Sequence, residues 1–544
     1  MNIGVAGSLW KRSLLAGAMV LATSACAPDD GSGDNATDPD EITGQNAVGR
    51  MMTLTGYVLV SPTASDATIL DAVRRQTRTV FGPLRNLQAS LDDREVRSVD
   101  PSTSVREMVS VVDTTTPTNP ARPMLRVRYT YTGRGVVHKS MAARRTLSTT
   151  VLFGDYNPIA SDVISTCTDD PEAREFGASG LWYMFNPGVS TCRTAIDAEV
   201  ASINAATRKI TDRRAQISVI EASRRFLPVT LKLATIRAPQ RVVYPEYDQL
   251  FGASDPTKRD LNVFAFFGVI GERETDPNDD GYREMFHVLQ DLTRAYPSAR
   301  FDAASPSTNL LDIRVNGAAV PGATYASVIN WALGTSAPSG VNATALRQAI
   351  LDVWKTRTIN VTIPLTVTIR GAARPIDVHF RAYYGDEGSA FSGVARQRYI
   401  SAWHDADVFI YSGHSHLGSG PLDPANYRAA DFPNRYQIML INSCVSFNYY
   451  NRDFYPLHPG GSTKLDMVVN GVEALGDNGH AVTTLVTGLL SPSRKSWIEV
   501  LRGMVATVPE IGLYDYDPLR VVDGETDNVY TPTATPITVA PRAQ

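Results

Sequence analysis

From about residue 250 onward, short apolar runs alternate with amphipathic stretches, and that alternation constrains the fold more than any other feature of the chain. The runs at 408–411 (VFIY) and 438–441 (IMLI) are continuous, as in strands buried on both faces. Between such runs the spacing predicts helices: 285–296 carries Met285, Val288, Leu289 and Leu292 on one face, and 394–403 turns Tyr399, Ile400 and Trp403 inward. Strands joined through helices pair in parallel, so residues 250–510 are expected to form an α/β domain, a mostly parallel sheet flanked by helices. Further strands are expected at 261–270, 359–369, 376–384 and 481–486. Further helices are expected at 343–355, over Leu465, Val468, Val469, Val472 and Leu475, and from Trp497 to Val505.

The preceding region, 47–245, reads as a separate α+β domain, in keeping with 544 residues being too many for one core. Strands are expected at 51–60, 124–132 and 229–233, with 146–153 as the hairpin partner of 124–132; helices are expected at 65–87 and 191–210. No group of polar residues converges there, and the role of this domain is not legible. Net charge is −4 and no dense Lys/Arg patch occurs, which points away from nucleic acid and from binding an anionic membrane surface by charge.

The first residues read as an export signal. Lys11 and Arg12 precede an apolar stretch too short to span a bilayer, then Thr23, Ser24 and Ala25 lead to Cys26. This resembles a bacterial lipoprotein leader, although Thr23 stands where such leaders usually carry Leu; cleavage after Ala25 is the alternative. The resemblance implies that 1–26 is a signal peptide, that Cys26 is acylated, and that the protein is lipid-anchored to the cell envelope. Residues 27–46, acidic and poor in large apolar groups, are expected to be a disordered tether. Residues 511–544 form a C-terminal extension whose Thr/Pro-rich tail, 531–544, is expected to be disordered.

Export bears on the cysteines. In an oxidising compartment Cys167 and Cys192, with 24 residues between them, are expected to form a disulfide. Cys444 is then left as a lone thiol, ending the run 437–443, and His414 ends the run 407–413 thirty residues earlier. In a parallel sheet the C-terminal ends of neighbouring strands share one rim, so an imidazole and a thiol placed this way come within reach of each other. A thiolate beside an imidazole is the usual activated cysteine nucleophile. A buried, inert thiol is the alternative.

Strand-Ser412-Gly413-His414-Ser415 followed by strand-Asn442-Ser443-Cys444 resembles the caspase–hemoglobinase fold of cysteine peptidases, which includes legumain, clostripain and the gingipains. The resemblance covers roughly residues 255–510. It implies a caspase-like sheet, Cys444 as nucleophile, His414 as general acid/base, and an oxyanion hole from the N–H groups of Cys444 and Ser415, with a peptide or protein substrate and no required cofactor. The family usually has Gly where this chain has Ser415, and Ala where it has Ser443. Asp386 and Asp423 are acidic candidates for a pocket taking a basic side chain.

Two other readings compete. One is a non-catalytic surface or interaction lipoprotein on the same scaffold. The other starts from Gly413-His414-Ser415-His416, which resembles the closing motif of calcineurin-like metallophosphoesterases, with Asp377-Val378-His379 and Gly385-Asp386 mimicking their earlier elements at too short a spacing. Separately, Asp276, Asn278 and Asp280 with Gly281 have the order of a calcium loop, but His287 stands where its bidentate Glu belongs. An acidic turn capping the following helix fits the same residues. His138, His287, His379, His404, His458 and His480 read as structural or surface residues.

Overall fold

The computed structural model describes residues 42–542, apart from 94, 97, 98, 100–103, 117, 170–172, 237–241, 272, 386–392 and 509–511. The expected signal peptide, Cys26, most of the tether and Asp386 lie outside the described residues. The protein is mixed α/β, with two large sheets. The chain forms two compact units: Ala47–Arg237 is one, and the segment up to Asn46 together with the chain from Ala238 is the other.

In the first unit a seven-stranded sheet has the order 146–152, 226–235, 47–60, 122–138, 105–112, 216–218, with 89–91 also paired to 122–138. Residues 146–152 were expected beside 122–138, but both edges of that strand are taken, by 47–60 and 105–112; 146–152 pairs with 226–235 instead. Cys167 and Cys192 form a disulfide between the helices Ala160–Cys167 and Ser190–Thr207. The two half-cystines are wholly buried.

The second unit holds a ten-stranded sheet. Its strands are β1 (Thr43–Gly44), β2 (Asp260–Gly268), β3 (Arg300–Phe301), β4 (Thr358–Ile369), β5 (Ala372–Gly385), β6 (Val408–Ser412), β7 (Gln437–Asn442), β8 (Leu465–Asn470), β9 (Arg520–Asp523) and β10 (Ile537–Pro541). The order is β1-β9-β8-β7-β6-β2-β5-β4-β3, with β10 on β4. Strands β5, β2, β6, β7 and β8 are mutually parallel, and the remaining pairings are antiparallel. Chain order reverses at β2, whose neighbours β5 and β6 both come later, so the rim between β2 and β6 is a topological switch point.

Both faces are covered. Helices α1 (Asp280–Ala295), α2 (Tyr325–Ala332), α3 (Ala343–Trp354), α5 (His480–Leu489) and α6 (Trp497–Gly503) contribute Met285, Val328, Leu351, Leu485 and Val500 to one core, together with Val263, Ile410, Leu440 and Val468 of the strands. Helix α4 (Gly393–Asp405) covers part of the other face: Tyr399 stacks on Phe266 at 4.4 Å and Trp403 on Phe409 at 3.7 Å. Each fully buried side chain of this kind contributes roughly 1.5–3 kcal/mol. At the opposite end from the switch-point rim, the buried Asp407 carboxylate accepts from Asn262 N–H (2.8 Å) and Lys258 Nζ (2.9 Å), which pins the start of β6 against β2.

Several expectations are corrected here. Residues 465–470 are a strand and 480–489 a helix, the reverse of what the sequence suggested. The run LDMVVN satisfies helical spacing and a doubly buried strand equally well, and its neighbours on both sides decide for the strand. The end of the expected tether is in the sheet, where Thr43 and Gly44 pair with Val522 and Val521. The Thr/Pro-rich tail supplies β10, which buries Ile537 and Val539 at the side of β4. Among the described residues no helix is long and apolar enough to cross a membrane.

Candidate active site

Register fixes the site. Ser412 is the Cα partner of Asn442, and Gly413 N–H reaches Asn442 O at 3.4 Å, so His414 and Cys444 each lie two residues beyond a paired position on adjacent parallel strands. Both are half-buried, and Cys444 lies outside the Cys167–Cys192 disulfide. The approach is tight: a Cβ on Gly413 would stand 2.9 Å from Tyr411 Oη and 3.2 Å from Gly268 Cα, so only glycine lets the ends of β2 and β6 come this close.

His414 is oriented by the neighbouring loop. Its Nε2 lies 3.1 Å from the carbonyl oxygen of Ile270, just beyond β2, and its own carbonyl accepts from Tyr411 Oη (2.9 Å). A carbonyl only accepts, so Nε2 carries the proton and Nδ1 is the basic nitrogen of the neutral ring. Cys444 Sγ is 3.6 Å from the carbonyl of Ala474, beyond β8, to which it donates as a thiol. Tyr516 clamps that segment from both sides of Ala474, donating to Glu473 O (2.7 Å) and accepting from Leu475 N–H (2.7 Å).

Both turns carry residues in the left-handed region. Val445, directly after Cys444, has φ 52°, and His416 and Leu417 have φ 47° and 52°. A β-branched residue in the left-handed region is a genuine outlier, and such strain gathers at functional sites. The turn after His414 is tied down by Tyr450 Oη, which donates to the carbonyl of the buried Ser415.

Beneath the rim runs a buried polar network. Ser412 Oγ donates to Glu284 Oε1 (2.8 Å) and accepts from Asn442 Nδ2 (3.2 Å). Asn442 Oδ1 accepts from Asn470 Nδ2 (3.1 Å) and Arg520 (3.0 Å), and Arg520 also donates to Asn470 Oδ1 (3.1 Å) and Met504 O (3.1 Å). Burial first, and then the nearby charge of Asp477, pushes the Glu284 carboxyl up to about 8, which favours its protonated form.

Two oxygens of the calcium-like motif are engaged within the protein. Asp276 Oδ1 accepts from Asn278 N–H (2.8 Å), and Asn278 Oδ1 accepts from Arg347 (2.7 Å), so the amide oxygen is already engaged by a guanidinium. The helix begins at Asp280 with Asp279 as its N-cap, the capping reading of the same motif. Among the described residues no group of three or more His, Cys, Asp or Glu side chains is arranged to hold a metal. Two of the residues that suggested a phosphoesterase have partners within the protein: Asp377 is hydrogen-bonded to Arg542, while His379 bridges Asp260 (2.9 Å) and Thr362 (3.3 Å). Asp423 caps a turn through Ala425 N–H (3.0 Å).

The fold and this rim define a mixed α/β protein with a thiol and an oriented imidazole on neighbouring strand ends. No protein-family model, curated protein or solved structure matches the chain.

Proposed function

We propose that the protein is a cysteine peptidase of the caspase–hemoglobinase type, in which Cys444 and His414 hydrolyse peptide bonds. The observation that carries this reading is the pairing of Ser412 with Asn442, combined with an imidazole whose proton is committed to Ile270 O. In the reaction, His414 Nδ1 takes the thiol proton and Cys444 Sγ attacks the scissile carbonyl carbon. The N–H groups of Cys444 and Ser415 receive the oxyanion. His414 returns the proton to the leaving amine, and water attacks the resulting thioester with the same residue as base.

The test is alkylation of Cys444 by iodoacetamide across pH. Rapid modification with a midpoint below the ordinary thiol value of about 8.5, slowed at least about tenfold in His414→Ala, is expected. A thiol that reacts equally slowly in both proteins refutes the dyad. A second reading, a binding lipoprotein on the same scaffold, is favoured by one contact: Cys444 Sγ is bonded to Ala474 O. It predicts that result.

The leader-like segment ending at Cys26 supports export and lipid anchoring in a bacterial envelope. Cells fed a clickable fatty-acid analogue should label the wild-type protein and leave Cys26→Ser unlabelled; equal labelling of the two refutes acylation at Cys26.

A further inference from the structure

Asp279 lies between Asn278 and Asp280 of the calcium-like motif. Its carboxylate is buried and accepts four backbone N–H groups. Oδ1 takes those of Gly281 (2.9 Å) and Tyr282 (3.2 Å), the ordinary work of a helix cap. Oδ2 reaches out of the helix to Ile270 N–H (3.0 Å) and Gly271 N–H (2.5 Å), in the loop leaving β2. Gly281 makes this reach close-fitting, since a Cβ there would lie 1.9 Å from Gly268 O.

The Gly271 N–H and the Ile270 C=O belong to one peptide unit. That unit is rigid and planar, and in its trans form the N–H and C=O point in opposite directions. Asp279 holds the unit by its N–H while the C=O on the other side receives His414 Nε2 at 3.1 Å. A carboxylate on the N–H also polarises the peptide, making its oxygen a stronger acceptor. We propose that Asp279 is a positioning residue for His414, fixing the tautomer and ring direction of the imidazole through the Ile270–Gly271 peptide. The proposal rests on the Cys444–His414 reading above.

Asp279→Asn separates this role from capping. Asn is as good an N-cap as Asp, so its oxygen keeps Gly281 and Tyr282, while its NH2 group meets the Gly271 N–H donor to donor. The experiment measures the pH profile of Cys444 alkylation by iodoacetamide in the full chain for four proteins: wild type, Asp279→Asn, His414→Ala and the double variant. Thermal melting is recorded alongside. The expected result for Asp279→Asn is a midpoint moved toward about 8.5 and a rate at pH 7 at least about tenfold slower, with a lowered but still cooperative melt above the assay temperature, since two backbone donors lose Oδ2. In the His414→Ala background the same substitution should change the rate less than twofold, because a residue acting through His414 has nothing left to act on. A wild-type profile in Asp279→Asn overturns the proposal. So does a slowing that persists undiminished in the His414→Ala background. Should wild type itself react no faster than His414→Ala, the dyad and the proposal fall together, a pattern distinct from failure of the Asp279 role alone.

Discussion

Arg520→Ala is expected to destabilise the unit containing the ten-stranded sheet by about 3–5 kcal/mol. The guanidinium is buried and satisfies Asn442 Oδ1, Asn470 Oδ1 and Met504 O. Truncation removes the guanidinium donor of Asn470 Oδ1 and Met504 O and leaves Asn442 Oδ1 with Asn470 Nδ2 alone, and each acceptor orphaned in the interior costs roughly 1–3 kcal/mol. Chemical denaturation followed by a probe in this unit measures the loss. Arg520→Lys should fall between, since one ammonium cannot span both amides. A loss below about 1 kcal/mol for the alanine variant would mean that the network contributes little to the fold.

Glu284 should make the same unit less stable as pH rises. Its folded-state value, about 8, lies above the ordinary carboxyl value of 4.5, chiefly through burial. Between those values the unfolded chain has lost the proton and the folded chain retains it, so unfolding is increasingly favoured across the window. The contribution is fully present below pH 4.5 and gone above about 8, with a slope approaching about 1.4 kcal/mol per pH unit. Asp466, raised to about 7 by burial, acts in the same direction, and His458, lowered to about 4, opposes it on the acid side. The difference between wild type and Glu284→Gln therefore isolates the effect. Melting temperatures from pH 5 to 8.5 should fall less steeply in the variant, and parallel curves would exclude Glu284 as a titrating group.

The legible parts of this molecule are those whose signal is local. Runs 408–411 and 438–441 are short, continuous and bounded by polar or small residues, as doubly buried strands are, and each delivers its reactive residue to the rim by a turn visible in the sequence. Residues 480–489, AVTTLV at their core, were misread because Val and Thr favour strands when packing is unknown, whereas here they lie against α1 and α6. The edge strands at 43–44 and 537–541 are short, and their composition matches disordered segments; only a distant partner reveals them. The partners of the candidate dyad were illegible for a different reason. Ile270 and Ala474 act through carbonyl oxygens, which every residue carries, so no side-chain pattern announces them. Asp279 did leave a trace, an acidic residue before an amphipathic helix, which reads as a cap without disclosing its second oxygen.

The pairing of Thr43 and Gly44 with Val522 and Val521 has a consequence for how this gene product is divided. One compact unit begins only after that pair, at Ala47, and ends at Arg237, before the chain returns to the other. The first unit is thus an insertion within the second rather than a module preceding it. A fragment starting near residue 240 forfeits the two-residue border of the larger sheet, leaving the outer side of Arg520–Asp523 as bare peptide groups, the kind of margin along which separate molecules zip together.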